Sequence, residues 1–108
     1  MLTKSGDDLA VGQTKYITIS KKDARVIYSF VPESSGYYTF SSISSGKYDT
    51  CAWLYDVSWN QMDYNDDVAQ GYLNFSIRHQ LDAGVRYYFV AKFLSPDQAG
   101  SFTVRLQR

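Results

Sequence analysis

Apolar and polar positions alternate along this chain in short runs, and clusters of turn-forming residues separate the runs. Leu73, Phe75 and Ile77 alternate with Tyr72, Asn74, Ser76 and Arg78, and Phe102, Val104 and Leu106 alternate with Thr103, Arg105 and Gln107. Side chains two apart share one face of a strand, so the apolar set of each run faces a core and the polar set faces solvent. No stretch sustains a helical period. The pattern predicts strands over Thr14–Ser20, Ala24–Val31, Gly36–Ser42, Thr50–Tyr55, Tyr72–Gln80, Val85–Phe93 and Ser101–Gln107, with a weaker one around Gln61–Tyr64. The separators Lys21-Lys22-Asp23, Pro32-Glu33-Ser34-Ser35-Gly36, Ser44-Ser45-Gly46, Asp82-Ala83-Gly84 and Ser95-Pro96-Asp97-Gln98-Ala99-Gly100 are rich in turn formers. They recur at roughly the 8–12-residue interval of sandwiches and barrels.

With short connections and no helix for parallel crossovers, such strands pair mainly antiparallel and bury their apolar faces by packing as two sheets. The expected architecture is therefore an all-β, two-sheet antiparallel β-sandwich of about seven or eight strands. It spans residues 14–108, with 1–13 as an N-terminal lead-in. Three strands are apolar or aromatic on both sides: Tyr37/Thr39 against Tyr38/Phe40, Trp53/Tyr55 against Ala52/Leu54, and Tyr87/Phe89 against Tyr88/Val90. Each is either covered on both sides or shows rings to solvent.

Composition narrows the function classes. At 108 residues the chain has room for one core, and 44% hydrophobic with 20% charged residues is a globular balance. Eleven basic residues offset eleven acidic ones, so no overall field draws in nucleic acid. No run approaches the roughly 18 apolar residues of a membrane span, and the opening MLTKSGDDLA has no apolar signal region. The signal of a secreted parent protein would lie outside this sequence. Cys51 is the single cysteine, which excludes an internal disulfide and a CxxC motif. In CAWLY it reads as a small buried apolar residue.

The order of the motifs resembles the bacterial pre-peptidase C-terminal (PPC) domain family. An apolar strand ends at Pro32 and is followed by Gly36-Tyr37-Tyr38-Thr39-Phe40. Next come Leu54-Tyr55-Asp56, the Asp66-Asp67 loop, and Leu81-Asp82-Ala83-Gly84 leading to Tyr87-Tyr88. The resemblance runs from about Thr14 to Leu106, nearly the whole chain. It implies a jelly-roll-like sandwich carried as an accessory module by larger secreted or surface proteins, some of whose relatives bind calcium or matrix polymers. Where many relatives have a Gly-rich turn after the LYD strand, this chain has Val57-Ser58-Trp59-Asn60.

Two constellations are candidates for chemistry. Between Tyr48 and Ile77 lie five Asp (Asp49, Asp56, Asp63, Asp66 and Asp67) and no Lys or Arg. Crowded carboxylates repel one another, and a hard cation that takes about 6–8 oxygens relieves this, so calcium held by Asp49, Asp63, Asp66 and Asp67 is one expectation. Asp63-Tyr64-Asn65-Asp66-Asp67 opens like an EF-hand loop, but Val68 replaces the required Gly and Asn74 the bidentate Glu. The alternative is a solvated acidic loop that protects a sheet edge.

The second constellation is aromatic. Tyr37, Trp53, Tyr55, Tyr87 and Phe89, with Trp59, Tyr64 and Tyr72 in nearby loops, would stack on sugar rings or matrix polymers if exposed, and would be core if not. Trp59, in a polar loop, is the least core-like.

Catalysis finds little support. His79 is the one histidine, it shares a strand side with Ile77, and no nucleophile motif accompanies it. The sequence thus reads as a non-catalytic accessory domain of an extracellular or cell-surface protein, with a polysaccharide or extracellular matrix polymer and neighbouring domains of the parent as partners. The competing reading is a structural spacer with no ligand.

Overall fold

In the computed structural model the described residues are 2–19, 24–43, 49–66, 74–94 and 99–108, with side chains from Asp8 onward. They form β1 (Leu2–Asp8), β2 (Thr14–Ile19), β3 (Arg25–Phe30), β4 (Gly36–Ile43), β5 (Thr50–Tyr55), β6 (Gln61–Asn65), β7 (Ser76–Leu81), β8 (Tyr87–Phe93) and β9 (Gly100–Gln107). The expected turns at Lys21-Lys22-Asp23, Ser44-Ser45-Gly46 and Ser95-Pro96-Asp97-Gln98 lie outside the described residues, as do Asp67, Tyr72 and Leu73.

One sheet has the order β1-β3-β8-β5-β6 and the other β2-β9-β4-β7. From β2 to β9 this is the eight-strand jelly roll, in which every step except β5 to β6 crosses between sheets. The β5–β6 hairpin therefore has the one turn, among the described strands, that joins sequence neighbours within a sheet. All pairings are antiparallel except β1 with β3, which is parallel and irregular in register. β1 lies in the segment expected as a lead-in. Its sequence LTKSGDD has no apolar alternation, and it joins the sheet edge through its backbone.

The inner faces are those the alternation predicted at Phe75, Ile77, Phe102, Val104 and Leu106, all buried. Phe40 lies at the centre of the aromatic core. Its ring stacks on Phe89 from the opposite sheet at 4.5 Å, meets Phe75 at 5.2 Å and takes an edge-on contact with Tyr28. Such ring pairs add about 0.5–1.5 kcal/mol each beyond the area they bury.

One buried polar link also joins the sheets. Ser42 Oγ on β4 donates to Asn74 Oδ1 at 3.1 Å and accepts from the Phe75 N–H at 3.1 Å. With its one proton committed, it also accepts from Thr50 Oγ1 on β5 at 2.7 Å.

The strands with two apolar faces are resolved by register. On β4, Tyr38 and Phe40 point inward and Tyr37 outward; on β5, Ala52 and Leu54 point inward and Trp53 and Tyr55 outward. On β8 the inward pair is Tyr87 and Phe89, at 4% and 1% exposure, which corrects the expectation that these two rings belong to an open aromatic face. Their neighbours Tyr88 and Val90 face out.

Candidate ligand-binding face

Paired residues in adjacent strands share a face, so the register lays out the outer surface of the five-stranded sheet row by row. One row crosses all five strands: Asp8 pairs with Ser29, Ser29 with Tyr88, Tyr88 with Tyr55, and Tyr55 with Gln61. Four inter-strand steps of about 4.7–4.9 Å make it roughly 19 Å long. The next row holds Ile27, Val90, Trp53 and Tyr64. Ile27, Val90 and Cys51 are buried yet lie outside the inter-sheet core, on this outer side of the sheet.

Trp59 completes the surface from the β5–β6 turn. The Trp59 N–H donates to Asp56 O at 3.0 Å, the Asp56 N–H donates to Asn60 O at 3.0 Å, and Trp59 has φ +64°. This is the three-residue hairpin loop in which a type I turn is followed by a left-handed residue. Glycine is the usual occupant of that position, because it adopts a positive φ without a Cβ clash.

A bulky residue in this conformation costs about 1–2 kcal/mol. The Asp56 carboxylate holds the loop: Oδ1 accepts from the Ser58 and Asn60 N–H groups at 2.9 Å each, and Oδ2 accepts from Asn60 Nδ2 at 3.1 Å. These bonds, led by the backbone bond from Asn60, lower the Asp56 pKa below the ordinary Asp value.

The turn aims the indole back over the sheet. Its ring lies parallel to Tyr88 at 4.4 Å with 8° between the planes, and meets Tyr55 at 5.3 Å. Trp59 nonetheless stays 46% exposed. Beside it, Trp53 and Tyr64 pack at 5.1 Å, with the Arg25 guanidinium 5.7 Å from the Trp53 ring. Tyr55, Trp59 and Tyr88 thus form one ring cluster, and Trp53 and Tyr64 a second in the adjacent row of the same face.

Tyr88 was not among the rings expected from sequence, and Tyr64 was expected only as a neighbour of the face. Both faces of β8 are apolar, so alternation alone does not tell Tyr88 from Tyr87. The other expected ring, Tyr37, is 51% exposed but sits on the outer face of the four-stranded sheet, under Arg78 at 4.2 Å. It is on the far side of the sandwich from Trp53 and Trp59.

The acidic residues divide between environments. Asp49 and Asp66 both lie near Cys51 and Tyr64. Asp63 pairs with Leu54, whose side chain is in the core, at a β-bulge that also turns Met62 against the core. Its carboxylate accepts from the Tyr64 N–H at 2.8 Å. Among the described residues no three His, Cys, Asp or Glu side chains are grouped to hold a metal; Asp67 lies outside them.

Burial pushes the Cys51 thiol up to about 11, against the opposing effect of Lys92, and pushes the Tyr64 hydroxyl up to about 12. Cys51 is a protonated packing residue at neutral pH, as its sequence context indicated. His79 is half-buried opposite Tyr38, its Nδ1 2.8 Å from Gln80 O.

The architecture is a jelly-roll sandwich similar to that of a solved PPC domain. The chain is similar in fold to the pre-peptidase C-terminal domain of collagenase from Bacillus anthracis, with a TM-score of 0.78 at 13% identity, over 97% of each chain. It also resembles CorA, a surface-associated copper-binding protein of Methylomicrobium album BG8, with a TM-score of 0.66 at 8% identity over 99% of each chain. A family 35 carbohydrate binding module from an environmental isolate matches with a TM-score of 0.53 at 16% identity, over 95% of this chain and 80% of that one. At these identities the likeness is one of fold. No family model and no curated sequence matches the chain.

Proposed function

We propose that this protein is a non-catalytic accessory domain of an extracellular protein. It binds a polysaccharide by stacking sugar rings on the surface formed by Trp53, Tyr55, Trp59, Tyr64 and Tyr88. The observation that carries the reading is Trp59. A glycine would close the same turn without strain, and the stacking of the indole on Tyr88 only offsets the cost of its left-handed backbone, so the fold has little net gain from a tryptophan there. What the indole supplies is a large exposed ring, already locked in place by Tyr88 and Tyr55, at the edge of a surface of further rings. Aromatic rings recognise sugars through their apolar faces, and rigid ones lose little entropy on binding. The fold likeness to a carbohydrate binding module supports the same reading.

The test is Trp59→Gly. Relief of strain at φ +64° and loss of the stacking on Tyr88 are each about 1 kcal/mol and opposite in sign. The variant therefore melts within a few degrees of the parent while its retention on an insoluble polysaccharide panel (cellulose, chitin, xylan, mannan) collapses. Tyr37→Ala, on the other face, serves as the control that retains binding. Retention on collagen instead of any glycan would reassign the ligand to a matrix protein. A spacer with no ligand predicts retention on nothing.

Calcium enters the proposal in a narrow form. Asp49 and Asp66 are the described carboxylates it would join, and it would stiffen the sheet end beside Tyr64. A melting scan in chelator and then in millimolar calcium rises by linkage if such an ion binds; an unchanged midpoint removes it.

A further inference from the structure

The row that bears Tyr88 and Tyr55 does not end on rings. At its other end Asp8 and Ser29 pair on β1 and β3, and Arg86, just before β8, reaches over Ser29. Arg86 Nη1 donates to Ser29 Oγ, which in turn donates to Asp8 Oδ1 at 3.3 Å. Ser29 is buried, whereas Asp8 and Arg86 are exposed. Asp8, Ser29 and Arg86, with Leu9 and Val31, line a cavity of about 310 Å3. That is the low end of the roughly 300–1,000 Å3 range of small-molecule sites, the scale of a single ring-sized group.

From this continuity we infer that the cavity is a polar subsite that takes the terminal, uncharged sugar residue of the chain whose following residues stack on Tyr88, Trp59 and Tyr55. The inference rests on the polysaccharide reading above and adds where the chain ends and what end it has.

Four observations carry it. The cavity and the platform lie in one row, with Ser29 and Tyr88 directly paired, so a chain crossing the strands passes from one to the other. The donors and acceptors suit adjacent hydroxyls: Arg86 keeps several N–H donors beyond the one given to Ser29, and Asp8 keeps a second carboxylate oxygen. The charges of Arg86 and Asp8 offset each other, so the pair favours a neutral sugar over a uronate or a sulfated one. The sheet also ends there, since β1 is its outermost strand, and the row stops at Asp8.

The experiment uses the intact protein with the cello-, xylo-, manno- and chito-oligosaccharides as disaccharides and hexasaccharides, read by calorimetry. Arg86→Gln and Asp8→Asn are compared with Trp59→Gly. If the subsite is real, each of the two polar variants weakens the best oligosaccharide by about tenfold, the loss expected when a hydrogen bond to a charged group goes unmade. Both melt with the parent protein's midpoint. Binding sites counted per mass of the matching polysaccharide rise as the polymer is cut shorter, because only ends are bound.

If Trp59→Gly abolishes binding while Arg86→Gln and Asp8→Asn leave it unchanged, or if site number per mass is independent of chain length, the subsite is wrong and the platform stands. If the parent protein binds none of these series, both readings fall. A uronate or sulfated oligosaccharide that binds more tightly than every neutral one overturns the preference for an uncharged sugar.

Discussion

The Tyr87 ring is packed between the sheets, and its hydroxyl accepts from the Asp82 N–H at 2.9 Å at the turn into β8. Tyr88, one residue on, points the other way and carries the stacked indole of Trp59. Two tyrosines with the same chemistry thus have separable roles, one in folding and one in the exposed surface. Tyr87→Phe leaves a part-buried N–H without its partner and is expected to lower the unfolding free energy by about 1 kcal/mol in urea titration, with polysaccharide retention unchanged. Tyr88→Ala does the reverse in emphasis, since it removes the support of Trp59: retention falls more than stability. Neither role was readable from the YY pair alone. Alternation states that the two side chains face opposite ways, but not which of them faces the core.

At the scale of the element, the β5–β6 hairpin shows how a polar residue sets the pose of an aromatic one. Asp56 holds both ends of the loop, and its pKa is lowered in the folded protein because the carboxylate accepts the Asn60 and Ser58 bonds. A carboxyl whose folded pKa lies below its unfolded value stabilises the fold fully above that unfolded value, about 3.9. The contribution is lost as the pH falls through the lower, folded value. Acidification below about pH 4 is therefore expected to loosen the turn before the sheets separate. The check is a change in tryptophan fluorescence that precedes loss of the far-ultraviolet strand signal; a single coincident transition would show that the turn has no independent response. Asp56→Ala should bring the fluorescence change to neutral pH. The unusual turn itself was visible in the sequence, as Val57-Ser58-Trp59-Asn60 in place of a Gly-rich loop. The left-handed backbone at Trp59 was not, because nothing local marks a tryptophan as filling a glycine's position.

Across the whole molecule the two sheets meet through rings and through one buried hydroxyl. Ser42 satisfies the Phe75 N–H, Asn74 and Thr50 at once, so Ser42→Ala removes an acceptor from buried donors in both sheets. The expected loss is about 1–3 kcal/mol in chemical denaturation, with the slope unchanged and no effect on ligand retention. The same two-layer arrangement explains why the aromatic residues separate. Tyr37 and Trp53 both face outward on their strands, but β4 and β5 belong to different sheets, so the rings end on opposite surfaces about a sandwich's thickness apart.

The sequence by itself determined the strands from β2 to β9 though not β1, the core faces of β7 and β9, and the buried character of Cys51, because period-two alternation between turn formers has one low-energy reading when only one face is apolar. It also marked Trp53, Tyr55 and Trp59 as notable. Only the tertiary structure decided which rings gather. Where a strand is apolar on both sides, the choice of inner face depends on the partner strand and on the sheet it joins. Those pairings link residues as distant in sequence as Asp8, Ser29, Tyr88 and Tyr55. The row they form, and the polar cavity at its end, exist because β3, β8 and β5 lie side by side in the jelly roll and β1 adds to its edge, an order set by long-range strand pairing and by nothing local in the chain.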